Sequence, residues 1–367
     1  MKITCQRDLL SNAVNNASKA VMAKSNLPSL EGVLVKTDRD RIVITGYDLE
    51  LGITTFVPAQ VEQEGSVVLT ARLFADMVRK MPGDTVSIYC DDKYLTQITS
   101  GSAEFVILGL PADEFPALPK IEKETSVTLP QNLLKGMISQ TQFAIAVSDA
   151  KPVHTGSLFE LSGNEITMVS VDGFRLAMRR EKAQINENAS FIVPGKTLGE
   201  IEKLLSDEDS PLSIFVSKKH IVFEIDHYSI ISRLLEGEFL NYRDAIPPSA
   251  STSVVVNTKT FCDSIDRVSL IITDRMKSPI KAVFADDTVK ILCTTALGKV
   301  NDAFSAQISG PAVEIGFNNK YLLDALKAAG CDEVKLELNG PLSPMKIVPL
   351  QNDSFLFLVL PVRIKNN

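Results

Sequence analysis

Lys2-Ile-Thr-Cys-Gln-Arg-Asp-Leu-Leu10 opens the chain and returns twice, as Ser126-Val-Thr-Leu-Pro-Gln-Asn-Leu-Leu134 and as Ser253-Val-Val-Val-Asn-Thr-Lys-Thr-Phe261. Each version is a short β-rich strand, a polar stretch able to cap a helix, and then apolar residues three and four apart. In the first copy those apolar positions include Leu9, Leu10, Val14, Ala17 and Val21. One pattern met three times is an internal repeat, and it decides the fold.

A second signature follows in each copy. Val67-Val-Leu-Thr-Ala-Arg-Leu-Phe-Ala-Asp-Met-Val78 reads as strand, turn and helix, as do Ser190-Phe-Ile-Val-Pro-Gly-Lys-Thr-Leu-Gly-Glu-Ile-Glu-Lys-Leu-Leu205 and Val313-Glu-Ile-Gly-Phe-Asn-Asn-Lys-Tyr-Leu-Leu-Asp-Ala-Leu326. Alternating strands fill the space between the helices and follow the second one. The acidic, Pro- or Gly-punctuated stretches 108–119 and 234–247 read as linkers. The unit of about 125 residues suits a single core. The expectation is an α+β chain of three tandem copies, each with two helices and about eight strands, at 1–120, 125–246 and 252–367.

Composition narrows the function. The 367 residues are 45% hydrophobic and 23% charged, the make-up of an ordinary globular protein. No long uncharged apolar run is present, so no membrane span is expected, and the opening residues lack the apolar core of a secretory signal. Cys5, Cys90, Cys262, Cys293 and Cys331 are odd in number and scattered, which points to reduced thiols in a cytoplasmic setting without disulfides or zinc. The net charge of −7 argues against an openly basic nucleic-acid binder but leaves the distribution of charge open.

No motif carries catalysis. Pro194-Gly195-Lys196-Thr197 has the look of a phosphate-binding loop, but that loop needs a glycine five residues before Gly195, where Ser190 stands. The matching turns Thr70-Ala71-Arg72 and Asn318-Asn319-Lys320 show a plain strand-to-helix passage. His154, His220 and His227 have no metal-like spacing. Asp172-Gly173 reads as a turn with Gly173 at positive φ, and Asp207-Glu208-Asp209 as a solvated loop. No catalytic residue, metal or cofactor is expected.

Charge separates by element instead. Helices are expected over 6–24, 71–80, 131–147, 195–205, 258–275 and 318–328. They carry a net +6, leaving −13 for the rest of a chain whose total is −7. Helices sharing one face would meet a polyanion while the remaining surface repels it. A domain of this size is roughly 35 Å across, and six in a ring leave a hole of roughly 30 Å, wide enough for B-DNA. Six domains means two chains.

Several stretches are similar to one known family. Val171-Asp-Gly-Phe-Arg-Leu176, Ser232-Arg-Leu-Leu-Glu-Gly-Glu-Phe239 with Asn241-Tyr-Arg243, Phe317-Asn-Asn-Lys-Tyr-Leu322, Gly340-Pro-Leu-Ser-Pro344 and Leu360-Pro-Val-Arg-Ile364 resemble the beta sliding clamps of bacterial DNA polymerase III, over nearly the full length. The resemblance implies three clamp domains per chain and a ring-shaped homodimer that encircles duplex DNA without sequence preference. It also implies a non-catalytic processivity factor that tethers the polymerase alpha subunit and is placed on DNA by a clamp loader. Other polymerases and repair proteins would share its peptide groove. By motif that groove includes Val171, Gly173, Arg175, Leu176, Leu240, Asn318, Tyr321, Leu342, Pro344, Leu358, Leu360, Pro361, Val362 and Arg363. Arg175, Asn318, Tyr321 and Arg363 would be its rim donors. His154 and Leu240 depart from the family's usual aliphatic residue and proline, and Asp244 stands where some members are basic. Lys24 matches a basic channel position; Arg72, Arg79, Lys80, Lys135, Lys196, Lys203 and Lys320 join it from the helix tally. The dimer contact is expected near Phe74, Met77, Tyr94, Leu95, Ile98, Leu270 and Ile272. An enzyme with its site between repeats, or a scaffold binding peptides alone, are the competing classes.

The last stretch, Ser354-Phe-Leu-Phe-Leu-Val-Leu-Pro-Val-Arg-Ile364, divides at Pro361, which cannot donate to a ladder. Its first half reads as a final strand. Beyond it, residues 360–363 are expected to turn back toward 171–176, unlike the ends of the first two copies.

Overall fold

The computed structural model describes residues 1–121, 125–148, 150–185, 187–273 and 278–364. Among them are six α-helices: α1 (Arg7–Ala17), α2 (Ala71–Lys80), α3 (Gln131–Thr141), α4 (Gly195–Leu204), α5 (Thr258–Ser269) and α6 (Asn319–Ala329). Two fall in each copy, with eight strands in the first, eight in the second and nine in the third.

The helices form where apolar spacing predicts, and polar side chains set their ends. α1 buries Leu10, Ala13, Val14 and Ala17 on one stripe. It stops short of the expected 6–24 because the Ser18 hydroxyl donates to the Val14 carbonyl at 2.6 Å and the chain tightens into a 3-10 turn, Ser18–Ala20. Thr141 does the same to Met137 at 2.8 Å, so α3 gives way to the 3-10 turn Gln142–Ala144 and not to a helix reaching 147. α5 ends at Ser269; Arg275, the expected end, lies outside the described residues. α5 and α6 start at side-chain caps, Asn257 accepting from the Thr260 N–H and Asn318 from those of Lys320 and Tyr321.

Two compact units divide the chain. The first holds Met1–Gln131, Lys203–Leu205 and Ser210–Leu234. Its sheet runs Ala103–Leu108, Leu95–Ser100, Thr85–Cys90, Lys2–Gln6, Leu51–Gln63, Tyr228–Arg233, His220–Ile225, Pro211–Val216, Thr125–Pro130, with Gly32–Asp38, Arg41–Tyr47 and Ser66–Thr70 branching from it. Its core gathers Ile3, Leu10, Val14, Phe74, Val78, Ile88 and Ile98, all buried.

The second unit carries a nine-stranded sheet, Ala189–Pro194, Gly156–Ser162, Glu165–Val171, Arg175–Lys182, Phe355–Val359, Met345–Pro349, Glu333–Leu338, Thr252–Asn257, Gln307–Ser309. A four-stranded sheet runs Gly298–Ser305, Thr288–Thr295, Ile280–Ala285, Val313–Phe317. Phe261, Ile265, Phe284, Phe317, Leu326 and Phe357 are buried in its largest cluster. Each such side chain stabilises by about 1.5–3 kcal/mol relative to exposure.

Each unit contains one joint between copies, and the two joints repeat. In the first, Leu51 pairs with Ser232 and Thr55 with Tyr228. The turn before it is built on Asp48, whose carboxylate accepts the Glu50 and Leu51 N–H groups, with Leu49 at φ 74°. In the second, Arg175 pairs with Val359 and Arg179 with Phe355. There Asp172 accepts the Phe174 and Arg175 N–H groups at 3.0 Å, with Gly173 at φ 85°. One further bond completes each: Arg233 N–H to Glu50 O at 2.8 Å, and Leu360 N–H to Phe174 O at 2.9 Å.

Candidate binding site

The second unit's joint gathers many of the residues expected to line the groove. Zipping Arg175–Lys182 onto Phe355–Val359 puts Leu176 opposite Leu358, and the neighbouring hairpin puts Val171 opposite Leu176. These three are buried, packed with Leu158, Met178, Ile192 and Tyr242. Val171, Leu176 and Leu358 lie within the joint, exposed by 3%, 3% and 1%. Exposed apolar side chains around the joint are Phe174, Leu360 and Val362, exposed by 57%, 38% and 39%. Pro344, just ahead of the Met345–Val359 pair, is half-buried. Leu240 and Leu342 are exposed on the segments leading into Tyr242–Ala245 and Met345–Pro349.

The rim differs from its sequence reading. The Arg175 guanidinium donates to Asp172 at 2.9 Å and to Asp324 on α6 at 2.6 Å. It lies 4.5 Å from the Tyr321 ring centroid and 5.4 Å from that of Phe143. Phe174 stacks on Tyr321 with centroids 5.8 Å apart. Arg175 is therefore a strut between the turn and α6, not an open donor. Asn318 spends its carbonyl oxygen on the cap of α6. Arg363 remains exposed. Asp172, Phe174 and Asp324 were not among the expected site residues, although the first two lie inside the Val171–Leu176 motif.

The linker 234–247 is part of the packing. Leu235, Phe239, Tyr242 and Ile246 pack on the apolar cluster beneath the site, and Phe239 meets His154 edge-on at 5.7 Å. The Tyr242 hydroxyl donates to Glu160 at 2.6 Å and Arg243 donates to the same carboxylate at 2.7 Å. Burial would raise Glu160, but the hydrogen bonds from Arg243 and Tyr242 outweigh it and hold the carboxyl below its ordinary value. Burial, then the bond to Glu160, pushes the Tyr242 phenol up.

The tail does more than turn toward 171–176. Leu360 makes that contact, but the Val362 N–H then donates to Gly316 O at 2.8 Å. This matches Leu110 N–H on Val68 O at 2.9 Å and Leu235 N–H on Ile192 O at 3.0 Å. The third copy thus ends as the others do, and the expected difference is corrected.

The basic residues differ in their surroundings. Lys24, Arg72, Lys80 and Lys320 are exposed and form no ion pair among the described residues. Arg79 is held by Asp76 on its own helix and Lys135 by Asp207. Lys196 and Lys203 are exposed on α4. Over the observed helices the net charge is +4, not +6, because Lys19 and Lys24 fall outside α1.

The residues expected at the dimer contact differ in exposure. Phe74, Met77 and Ile98 belong to the first core, exposed by 0%, 8% and 0%; Tyr94 packs half-buried against it. Leu95 is exposed, Leu270 is 83% exposed and Ile272 is half-buried. The unexpected feature is the edge strand Ala103–Leu108, where Phe105, Val106 and Leu108 are all exposed.

Gly195 serves packing: a Cβ there would sit 3.0 Å from Ile145 Cγ2. Among the described residues no His, Cys, Asp or Glu cluster is placed to hold a metal, and no helix is long and apolar enough to cross a membrane.

Three family models match in succession: the DNA polymerase III beta subunit N-terminal domain over 1–119, its central domain over 128–241 and its C-terminal domain over 243–363. The chain is 35% identical over 376 residues to the beta sliding clamp of Bacillus subtilis, covering 99% of this chain and all of that one. It superposes on the crystal structure of the Bacillus subtilis sliding clamp with TM-score 0.96 at 35% identity, each chain covered in full. It also superposes on a Pseudomonas aeruginosa sliding clamp bound to griselimycin, with TM-score 0.94 at 26% identity, covering 99% of this chain and 100% of that one.

Proposed function

The chain belongs to the DNA polymerase III beta subunit family, the beta sliding clamps, and from that premise we propose that two copies close head to tail into a ring around duplex DNA. It is a DNA sliding clamp, a processivity factor with no catalysis of its own.

The observation that carries the ring is the repeated joint. Leu51–Gln63 takes Tyr228–Arg233 beside it, and Arg175–Lys182 takes Phe355–Val359 in the same relative register. The third members of the two sets, Gly298–Ser305 and Ala103–Leu108, each end a sheet. An exposed apolar edge is a pairing site. Joining Ala103–Leu108 of one protomer to Gly298–Ser305 of its partner repeats the joint, and a two-fold axis closes the assembly. Leu95 lies on the strand beside this edge. Arg267 ties α5 to Asp302 on the other edge at 2.8 Å, which supports a contact that also includes Leu270 and Ile272.

Three domains, at 1–120, 125–246 and 252–367, make up each half ring. Exposed Lys24, Arg72, Lys80 and Lys320 meet phosphates, with Arg79, Lys135, Lys196 and Lys203 as weaker partners. Few cations and no base-reading groups give binding that slides. The groove at the second joint takes short peptides with leucine or phenylalanine anchors from the polymerase alpha subunit, the clamp loader and other polymerases and repair proteins. Exposed Phe174, Leu360 and Val362 support this reading, as does a relative bound to griselimycin. The five free thiols, four of them buried, fit the reducing cytoplasm.

The test is retention. Loaded by a clamp loader on nicked circular DNA, the protein stays through gel filtration and is lost when the circle is cut. Equal retention on both forms would sink the topological reading.

A further inference from the structure

In each copy the chain leaving the last strand crosses back over the strand that feeds the second helix, and one backbone hydrogen bond marks the crossing. Its acceptors are Val68, Ile192 and Gly316. In the third copy alone the crossed residue is a glycine, and the crossing chain is the tail. A Cβ built on Gly316 would lie 2.5 Å from the Val362 carbonyl oxygen and 2.7 Å from Ile364 Cγ1. Neither separation is compatible with a real side chain. Gly316 sits inside the regular strand Val313–Phe317 and is not among the positive-φ glycines, so it is needed for room and not for backbone freedom.

We propose that Gly316 is a positioning residue, whose bare backbone seats the tail 360–364 and so shapes the peptide groove without touching the peptide. The functional half of this inference rests on the groove reading above. The tail is fastened at two points, Leu360 N–H on Phe174 O and Val362 N–H on Gly316 O. Pro361 between them has no N–H to give. Half-buried Ile364 covers Gly316 beyond the second point. With that point lost, Leu360 and Val362 swing about the first, and the apolar wall they form loses its shape.

The experiment compares the full-length native chain with Gly316→Ala and Ile364→Ala. Amide hydrogen exchange of the C-terminal fragment reads the Val362 N–H, and fluorescence anisotropy reads binding of a fluorescein-labelled hexapeptide ending in leucine and phenylalanine. In Gly316→Ala, exchange at Val362 accelerates by about ten-fold or more while the strand Ile280–Ala285 keeps its protection. Peptide affinity falls by roughly ten-fold. Ile364→Ala, which trims the half-buried side chain over Gly316 and leaves the strand Val313–Phe317 unaltered, moves both readouts the same way by less. Undiminished protection of Val362 in Gly316→Ala overturns the seat. Lost protection with unchanged peptide affinity overturns its role in shaping the groove. A native chain that fails to bind the peptide overturns the groove reading and that role together, and the exchange arm still decides the seat.

Discussion

Glu160 sits between a buried phenol and an exposed guanidinium, with Tyr242 and Arg243 both donating to it. Its depressed pKa makes a signed statement about stability. A carboxyl held below its ordinary value adds stability above that value and loses it as pH falls through the folded value. Glu160→Gln therefore costs about 1–2 kcal/mol at pH 7. Urea unfolding at successively lower pH below the ordinary carboxyl value finds the difference from the native chain shrinking; a gap that stays equal throughout would show that charge is not the cause. Single residues also mark the limit of what sequence reveals. Asp172-Gly173 was legible as a turn because its geometry is local, and Gly173 takes φ 85°. Arg175 was not legible as a strut, since its partner Asp324 is 149 residues away and no local pattern ties the two together.

Among the elements, α6 is the best defined: Asn318 caps its start, and Gly330 at φ 65° its end. Asn318→Ala leaves the Lys320 and Tyr321 N–H groups without their acceptor and destabilises the chain by about 1 kcal/mol, while Asn318→Asp is nearly neutral. Thermal unfolding at one protein concentration checks this, and an Asp variant as unstable as Ala would rule out capping as the reason. Helix positions were readable because a stripe such as Leu10, Ala13, Val14 and Ala17 advertises its period. Helix ends were not, because Ser18 and Thr141 turn their hydroxyls onto their own backbone, a choice composition does not record. The edge strand Ala103–Leu108 escaped for a different reason. Its outward residues Phe105, Val106 and Leu108 are apolar, so it lacks the polar alternation by which half-buried strands are recognised.

For the whole molecule, internal repetition supplies a register as well as a partner. In the first joint Leu51 pairs with Ser232, and in the second Arg175 pairs with Val359. The third copy's hairpin pairs Thr294 with Lys299, as Tyr47 pairs with Gly52 and Val171 with Leu176. Leu108, Arg233 and Leu360 stand at equivalent positions where these strands finish. Carried to the protomer contact, this sets Ile107 opposite Gly298 of the partner subunit, and Phe105 opposite Val300 of the partner subunit. A disulfide needs Cβ atoms about 3.5–4.5 Å apart, which directly opposed strand residues, about 4.5–5.5 Å apart, approach at a non-hydrogen-bonded pair such as this register makes of 105 and 300. In a Cys331→Ser background, which removes the exposed thiol, Phe105→Cys with Val300→Cys oxidises to a covalent dimer. Phe105→Cys with Asn301→Cys does not, because a step of one residue turns the side chain to the other face of the sheet. Oxidised on circular DNA, the matched dimer resists both denaturant and salt, since both joints are then covalent. Equal cross-linking of the two pairs on a denaturing gel would mean that the protomers meet without the register the chain repeats within itself.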